Sequence, residues 1–541
     1  MWQQNYTPFG GSLAISALFA SLPILALLWT LGVQRIAAWK ASLIGLTLAT
    51  LVALLVYHMP VVTTFSAIAY GAAFGLFPIC WIVYWAIVLY RISLESGKFE
   101  IIKDSIGNLT RDAHLQALLI AFALGAFIEG ACGFGTPVAV AAAMLTGLGF
   151  SPFYAACICL LANTAPVAFG SLGLPIITLA GVTGLDLRKI SADVGRLCAP
   201  ISILIPGYLI KVMGGWSALR RVLLAAVVCG VSFATAQILI SNFVGPYLTD
   251  IIASITAIMA LIILFHVWKP SELADAAVQS ATTHPARQHG AREIVIAWSP
   301  YGLLVVFVLV WGISSVKGWL DSATIIFNWP HLNNYVLRIP PVLAKPSPYG
   351  ATFTLNLFSI SGTACMFAAL GSSLVLKMPA FETVRIILST GRQMFHTFVT
   401  ISGVVAMAFL MNYSGATVTL ALALAATGSV FPFFSPLLGW LGVFLSGSDT
   451  ASNALFGNLQ VVTAHQLGVN PVLMAAANSS GGVMGKMISL QSIAVAAAAT
   501  GLQASDEGRL FRFTLKHSIL LVSLMGLLTL FYAYVMPGWV R

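Results

Sequence analysis

The sequence predicts an all-α polytopic membrane protein. About 12 transmembrane helices, two re-entrant hairpins and two inverted repeats with broken helices are expected. Three observations carry this reading. Of the 541 residues, 59% are hydrophobic and 8% are charged, with a mean hydropathy of +0.95. Soluble domains carry about 25% charged residues. Apolar runs of about 20 residues, enough to cross a bilayer, recur from end to end. Three charges stand alone in Gly- and Ser/Thr-rich interruptions of such runs. Glu129 is the only Asp, Glu, Lys or Arg between Asp112 and Asp186, and only Asp449 and Lys486 lie between Arg392 and Asp506. A charge at bilayer depth costs roughly 2.5–3.5 kcal/mol even on a lenient insertion scale, so each is a functional candidate. Two acids and one base in helix breaks point to a small anion moved with a cation.

Ordinary spans are read at 12–33, 40–58, 62–92, 195–213, 221–240, 247–268, 294–313, 357–376, 394–428 and 517–536, the 394–428 run being interrupted at Asn412-Tyr-Ser-Gly415. A polar linker by composition, 269–293, joins an N-terminal half (1–268) to a C-terminal half (294–541). Residues 314–356 hold five prolines and read as a structured external loop. The other segments are different in kind. A hairpin is expected at 115–147 and a broken helix at 152–182, then a second hairpin at 436–467 and a second broken helix at 471–501.

These four segments form an internal repeat. Gly-x-Phe-x-x-Gly occurs at Gly125–Gly130 and at Gly442–Gly447. Leu-Gly-x-x-Pro follows at 148–152 and 467–471. Asn163 and Asn478, each followed by Ser or Thr, then lead by seven residues to Gly170 and Gly485. Three matches in one order are more specific than any one of them. If the hairpins return to their own sides, 18 Lys and Arg lie on one side of the membrane and seven on the other. Full crossings would give 15 and ten. The excess of positive charge inside favours hairpins and makes the repeats inverted, a recurring plan of secondary transporters.

The net charge of +10 does not signal nucleic acid, because the basic residues sit in short loops between spans. Such loops also favour anionic membrane lipid. The seven cysteines lie in or beside apolar runs with no zinc or redox spacing and read as small fillers. Residues 1–11 hold no Lys or Arg, so no cleavable signal peptide is expected. No Walker-type fingerprint appears, and no cofactor or metal site is read.

The breaks supply the chemistry. A broken helix exposes free N–H groups at one end and free carbonyls at the other, and in lipid these must face protein, water or ligand. N–H ends suit a carboxylate. Lys486 follows Gly485 and is expected to open the helix after the fourth break. It is read as the cationic partner of a substrate carboxylate, with a structural ion pair to Glu129 or Asp449 as the other reading. Glu129 or Asp449 is the expected carrier of a coupling proton, because burial makes the ionised form costly. Asn163, with Thr164 beside it, and its repeat equivalent Asn478 can hold broken ends and offer donors and acceptors. Ser448, Thr450, Ser452 and Asn453 are candidates for contact with a substrate hydroxyl, or for helix caps. His114, His396 and His465 sit near predicted boundaries, where a histidine either relays protons or is simply solvated.

Several blocks resemble the bacterial lactate permease family, which includes glycolate permease. They are Gly125-Ala-Phe-Ile-Glu-Gly-Ala-Cys-Gly-Phe-Gly-Thr-Pro137, Asn163-Thr-Ala-Pro-Val-Ala-Phe-Gly170, Phe434-Ser-Pro-Leu-Leu-Gly-Trp-Leu-Gly-Val-Phe-Leu-Ser-Gly-Ser-Asp-Thr450 and Gly481-Gly-Val-Met-Gly-Lys-Met-Ile-Ser489. The resemblance runs nearly end to end, from Trp2 to the last span. It implies proton-coupled uptake of L-lactate, D-lactate and glycolate across the bacterial inner membrane. The plan is also similar, more distantly, to the wider ion-transporter group, whose members often work as elevators. Cys132 stands where the resemblance implies Ala. Leu490 stands where it implies Pro, which bears on the helix after Lys486. Lactate and glycolate differ by a methyl group, worth about 1–3 kcal/mol of discrimination, so overlapping substrates are expected. Three other readings stay open at this point. They are a sodium-coupled carboxylate symporter of the same architecture, an intramembrane enzyme using the two acids, and a passive channel. Oligomeric state and stereopreference are not legible in the sequence.

Overall fold

The computed structural model describes all residues except 35, 108, 111, 134, 269–288, 342–344, 504–505 and 541. Most of the polar linker and Phe134 of the first hairpin motif therefore lie outside the described residues, as do Arg35, Arg111, Lys269, Arg287 and Arg541 of the charge count. Among the described residues, 11 helices are long and apolar enough to cross a membrane, or up to 12 if one bent pair counts as a span. Large apolar side chains such as Leu18, Leu55 and Ile263 point outward from them, as a lipid-facing surface requires.

Several expected spans appear close to their predicted bounds, among them Leu13–Gly32, Thr249–Val267, Ala291–Gly312 and Ser361–Val375, while the last, Glu507–Tyr534, begins ten residues before its expected start at 517. Three others differ instructively. The spans expected at 195–213 and 221–240 begin and end further out, in one run of 57 residues, Leu187–Phe243. Gly215 turns that run back on itself with φ 71° and ψ −163°, a conformation open only to glycine. A methyl on Gly230 would strike the Ile203 carbonyl, so the two halves lie in close contact. The span expected at 394–428 begins earlier, at Ala380, because Arg385 and Arg392 extend the helix beyond its apolar stretch instead of ending it. It stops at Gly415 (φ 90°), and Ala416–Ala425 continues after the break.

That break shows where freed backbone groups go. The carbonyls of Asn412 and Tyr413 accept from the Gln4 side-chain amide at 3.0 and 2.8 Å. Gln4 is brought there by the N-terminal strand Trp2–Gln3, which pairs in parallel with Val336–Arg338, register Trp2 to Val336. Val336–Arg338 also pairs antiparallel with Ser347–Tyr349, and Ile325–Asn328 with Thr352–Leu355. The 314–356 segment is thus a short helix, Ser314–Asp321, followed by two small sheets.

The first hairpin has one arm at Ala113–Ala131 and a second at Thr136–Gly147. The second packs back along 117–131. Its 12 residues rise only about 18 Å, less than the roughly 30 Å hydrocarbon core. Pro152–Ala162 and Val167–Thr183 follow, bent by 65° at the Asn163 break. Ser171, Leu172 and Gly173 there all take left-handed backbone angles. In the C-terminal half, Phe431–Ser446 and Asp449–Leu467 meet at Gly447 (φ 71°).

The fourth expected break is displaced. Asn478–Gly485 is helical, within Pro471–Lys486, and the chain breaks at 487–489 before Leu490–Thr500. Lys486 therefore closes a helix instead of opening one, at the end where the helix dipole favours a cation. The glycines serve packing. A methyl on Gly481 would meet the Pro436 carbonyl, one on Gly485 the Trp440 carbonyl, and one on Gly439 the Asn478 carbonyl. Phe431–Ser446 and Pro471–Lys486 thus touch backbone to backbone. Ser489 caps the last helix of the repeat by accepting from the Ser492 amide, so Leu490 starts a regular helix without proline.

The buried apolar residues form two clusters. The larger holds the first hairpin, the Pro152–Ala162 helix, the two halves of Leu187–Phe243 and the Pro471–Lys486 helix. The smaller is centred on Leu13–Gly32, Val61–Phe74 and the 404–421 region, roofed by the N-terminal and loop strands.

Two predictions follow from this packing. Gly481→Ala should destabilise the protein in detergent by about 1–3 kcal/mol through overpacking. A thermal-unfolding midpoint equal to wild type would show that the seam tolerates a methyl. For the hairpins, single cysteines at Thr110 and Gly149, in a background lacking native Cys, should both label from the cytoplasm, and those at Ser429 and Gly468 both from outside. Labelling of Thr110 and Gly149 from opposite faces would make 115–147 a crossing.

Candidate functional site

A cavity of about 260 Å³ lies where the two apolar clusters meet. Glu129, Gly170, Ser171, Gly447, Ser448, Asp449, Thr450, Lys486 and Gln491 line it, together with Trp39, His396 and Thr400. All three lone charges of the sequence are therefore on one cavity, brought from positions up to 357 residues apart (Glu129 to Lys486).

Each charge is delivered by a helix end. Lys486 is the last residue of its helix and is 7% exposed. Its ammonium donates to the Gly447 carbonyl at 2.6 Å. That carbonyl points at the lysine because Gly447 turns the chain between the two arms of the second hairpin. Glu129 and Asp449 act on Lys486 through the field, but neither forms an ion pair with it among the described residues. An ammonium has three donors, and one hydrogen bond to a carbonyl leaves capacity for an anion.

Asp449 occupies the first turn of Asp449–Leu467. One of its oxygens accepts from the Ser479 hydroxyl at 2.6 Å and from the Asn453 amide at 3.3 Å. The other, Oδ1, has no hydrogen-bond partner among the described residues and lies against Gly482, where a methyl would displace it. Glu129 lies near the end of the first hairpin arm, 4% exposed. A methyl on Gly170 would come within 2.6 Å of its Oε1. The Glu129 carboxylate is thus wedged between the hairpin turn and the first broken helix.

The other expected site residues divide. Ser448 and Thr450 line the cavity. Ser448 also caps its helix, its hydroxyl accepting from the Ala451 amide at 3.2 Å. Asn163, Thr164, Asn478, Ser452 and Asn453 are buried but do not line the cavity, because helix packing turns their side chains into the seams. Thr164 donates to Leu161 at its own helix end. Ser452 donates to the Gly439 carbonyl. The Asn478 amide donates to the Asn453 side-chain oxygen at 2.9 Å, and its oxygen accepts from Gln460 at 3.1 Å. Asn453 in turn donates to the Pro175 carbonyl at 3.1 Å, tying the second hairpin to the first broken helix. This polar network fixes where Asp449 stands. Asn163 lies beside Glu129 and interacts with its carboxyl, though too loosely for a well-formed hydrogen bond.

His396 stands at the cavity against Trp39, with ring centroids 5.3 Å apart. His114 is buried beside Asp112 and Arg221 at the start of the first hairpin, away from the cavity. Sequence reasoning passed over Ser171, Gln491, Trp39 and Thr400 as cavity residues. It also passed over Asp250, which the fold places against the hairpin beside Glu129. A signal for Asp250 existed, since it is an acid inside the apolar run expected at 247–268.

The family model described as L-lactate permease matches residues 16–536. The glycolate permease GlcA of Escherichia coli K12 is 45% identical over 555 residues, covering 99% of each chain. The L-lactate permease of the same strain is 44% identical over 548 residues, with 99% of each covered. That of Bacillus subtilis 168 is 44% identical over 555 residues, with 98% of each covered. Two solved transporters are more loosely similar. The YdaH transporter of Alcanivorax borkumensis gives a TM-score of 0.46 at 16% identity over 85% of each chain. MtrF of Neisseria gonorrhoeae gives 0.47 at 14% identity over 95% of this chain and 98% of its own. The apolar helices make this a multi-pass membrane protein, of the inner membrane in bacteria. Matched over nearly its whole length, the chain belongs to the L-lactate permease family, and it is a transporter and not an enzyme.

Proposed function

We propose that this chain is a secondary active symporter that brings L-lactate, D-lactate and glycolate into the cell together with a proton. One observation carries the reading. A buried lysine stands on a cavity between two buried acids, anchored to a backbone carbonyl and not to a carboxylate. The substrate carboxylate binds Lys486. Helix N-termini leave their first amides without intrahelical partners, so the Asp449 and Thr450 amides are available beside it. The 2-hydroxyl is met by Thr450 or Ser448. Relatives named L-lactate permease and glycolate permease support the substrate class. The cavity favours small 2-hydroxy monocarboxylates, because its lining offers one cation together with hydroxyl partners.

Coupling follows from charge balance. A substrate anion arriving beside two acids and one lysine is repelled unless one acid is neutral, and protonation of Glu129 or Asp449 meets that need. The hairpins give the substrate a turn to move around. Contacts at their ends support their return to the side of entry. Asp112 is 3.4 Å from Arg221, and Phe153 lies under the Arg509 guanidinium at 4.3 Å, so both ends of the first meet residues assigned to the inside. Ser429 accepts from Tyr534 at 2.9 Å and Gln466 donates to Pro341 at 3.2 Å, so both ends of the second meet residues assigned to the outside. A sodium-coupled symporter is the alternative, and uptake at a fixed pH gradient with and without Na⁺ separates the two.

Lys486→Ala should weaken lactate binding by at least 1.5–3 kcal/mol, roughly ten- to a hundred-fold, while the protein stays folded in detergent. Titration calorimetry showing unchanged affinity would remove Lys486 from the substrate. For the proton carrier, Glu129→Gln or Asp449→Asn should stop accumulation driven by a pH gradient yet spare lactate exchange. Two single variants that both still concentrate lactate would place coupling elsewhere.

A further inference from the structure

Asp250 sits in the first turn of Thr249–Val267 and is 1% exposed. An acid in the first turn faces the positive end of the helix dipole, close to amides that have no partner within the helix. Yet neither carboxyl oxygen of Asp250 has a hydrogen-bond partner among the described residues. The side chain instead lies over the hairpin. A methyl on Gly130 would come within 2.8 Å of the Asp250 Cβ and 3.1 Å of the Ile251 amide, so the missing side chain at 130 lets the two elements meet. Glu129 is the adjacent residue on that hairpin arm, so the two buried acids are neighbours across the Gly130 contact. Glu129 Oε2 and both ends of the Asn163 amide also lack hydrogen-bond partners among the described residues. Three buried polar side chains thus converge at one place with unsatisfied atoms, behind the wall of the cavity.

The helices packed most closely on Thr249–Val267 fix what else faces Asp250. The first hairpin arm brings Glu129, and the Leu187–Phe243 run brings the Cys198 thiol. The Gly170–Thr183 helix and the 117–124 stretch contribute no titratable group. Lys486 lines the cavity with Glu129, whereas Asp250 does not. Among the described residues, Asp250 therefore has an acid as a close neighbour and forms no ion pair with a cation. Two adjacent carboxylates in a low-dielectric interior do not both ionise.

We infer that Asp250 and Glu129 hold one proton between them, and that Asp250 is the station from which Glu129, on the cavity, is loaded. The step conserves atoms and charge. The O–H bond of the neutral Asp250 carboxyl breaks, an O–H bond forms on the Glu129 carboxylate, and the negative charge moves to Asp250. Asn163, whose amide carries both a donor and an acceptor, serves the Glu129 carboxyl in either form. This rests on the proton-symport reading and adds to it a residue outside the cavity.

The test uses the full-length protein in proteoliposomes with an imposed pH gradient. Asp250→Asn should lower lactate accumulation at least tenfold, keep lactate exchange, and remove the pH dependence of that exchange. Asp250→Glu should restore coupling at least in part. Accumulation by Asp250→Asn equal to wild type would overturn the inference and leave the symport reading standing. If wild type itself fails to accumulate lactate on a pH gradient, or does so only with Na⁺, the symport reading falls and this inference with it. Should Asp250→Asn not fold, dicyclohexylcarbodiimide, which reacts with protonated carboxyls in apolar surroundings, tests the wild type. An adduct on Asp250 or Glu129, found by mass spectrometry, is expected, and the absence of both would overturn the pair.

Discussion

The site depends on an ammonium held inside the protein by a backbone carbonyl. Lys486 reaches Gly447 at 2.6 Å, and almost everything around it can be traced to making that contact possible. The carbonyl is available because the second hairpin turns through a left-handed glycine. The lysine arrives there because its helix runs backbone to backbone along Phe431–Ser446, a distance that only glycines at 439, 481 and 485 allow. A charged group this deep is expensive. Anchoring it to a dipole instead of a carboxylate keeps its charge uncancelled at the cavity, where an anionic substrate can meet it.

The acids are arranged by a different device. Asp449 is located by a chain of amides and hydroxyls, Ser479, Asn453, Asn478 and Gln460, that reaches across to the Pro175 carbonyl of the first broken helix. Buried networks of this kind fix geometry where their members are satisfied, as Oδ2 of Asp449 is. Glu129 has no such network. It is confined by close-packed backbone at Gly133 and Gly170 and is left with an unsatisfied oxygen beside Asn163 and Asp250. The contrast is between an acid positioned by hydrogen bonds and one positioned by packing.

The site was only partly legible beforehand. Glu129, Asp449 and Lys486 stood out because charge is rare in apolar runs, and the fold gathers all three. The Asn and Ser candidates were chosen by their nearness in sequence to those charges. A helix turns successive residues by 100°, so Ser452, Asn453 and Asn478 end up in seams while Ser448 and Thr450 face the cavity. The run at 478–485 read as a break because glycine disfavours helices in isolation. Tight packing against a neighbouring helix outweighed that preference and moved the break past Lys486. Asp250 was passed over because an acid one or two residues inside a span looks like a boundary residue. Only the hairpin folded against it shows that this end of the helix is enclosed.

The sequence by itself determined the membrane class, the order of spans and interruptions, the repeated motifs and the three charges that cannot be incidental. These follow from composition and local periodicity, which the bilayer constrains residue by residue. Which breaks are real, which side chains share the cavity, and which acid lies behind Glu129 were decided by tertiary structure alone. Those outcomes depend on how closely two backbones approach. That distance is set jointly by residues hundreds of positions apart, such as Gly130 against Asp250 or Gly481 against Pro436, and no local window of sequence contains both partners.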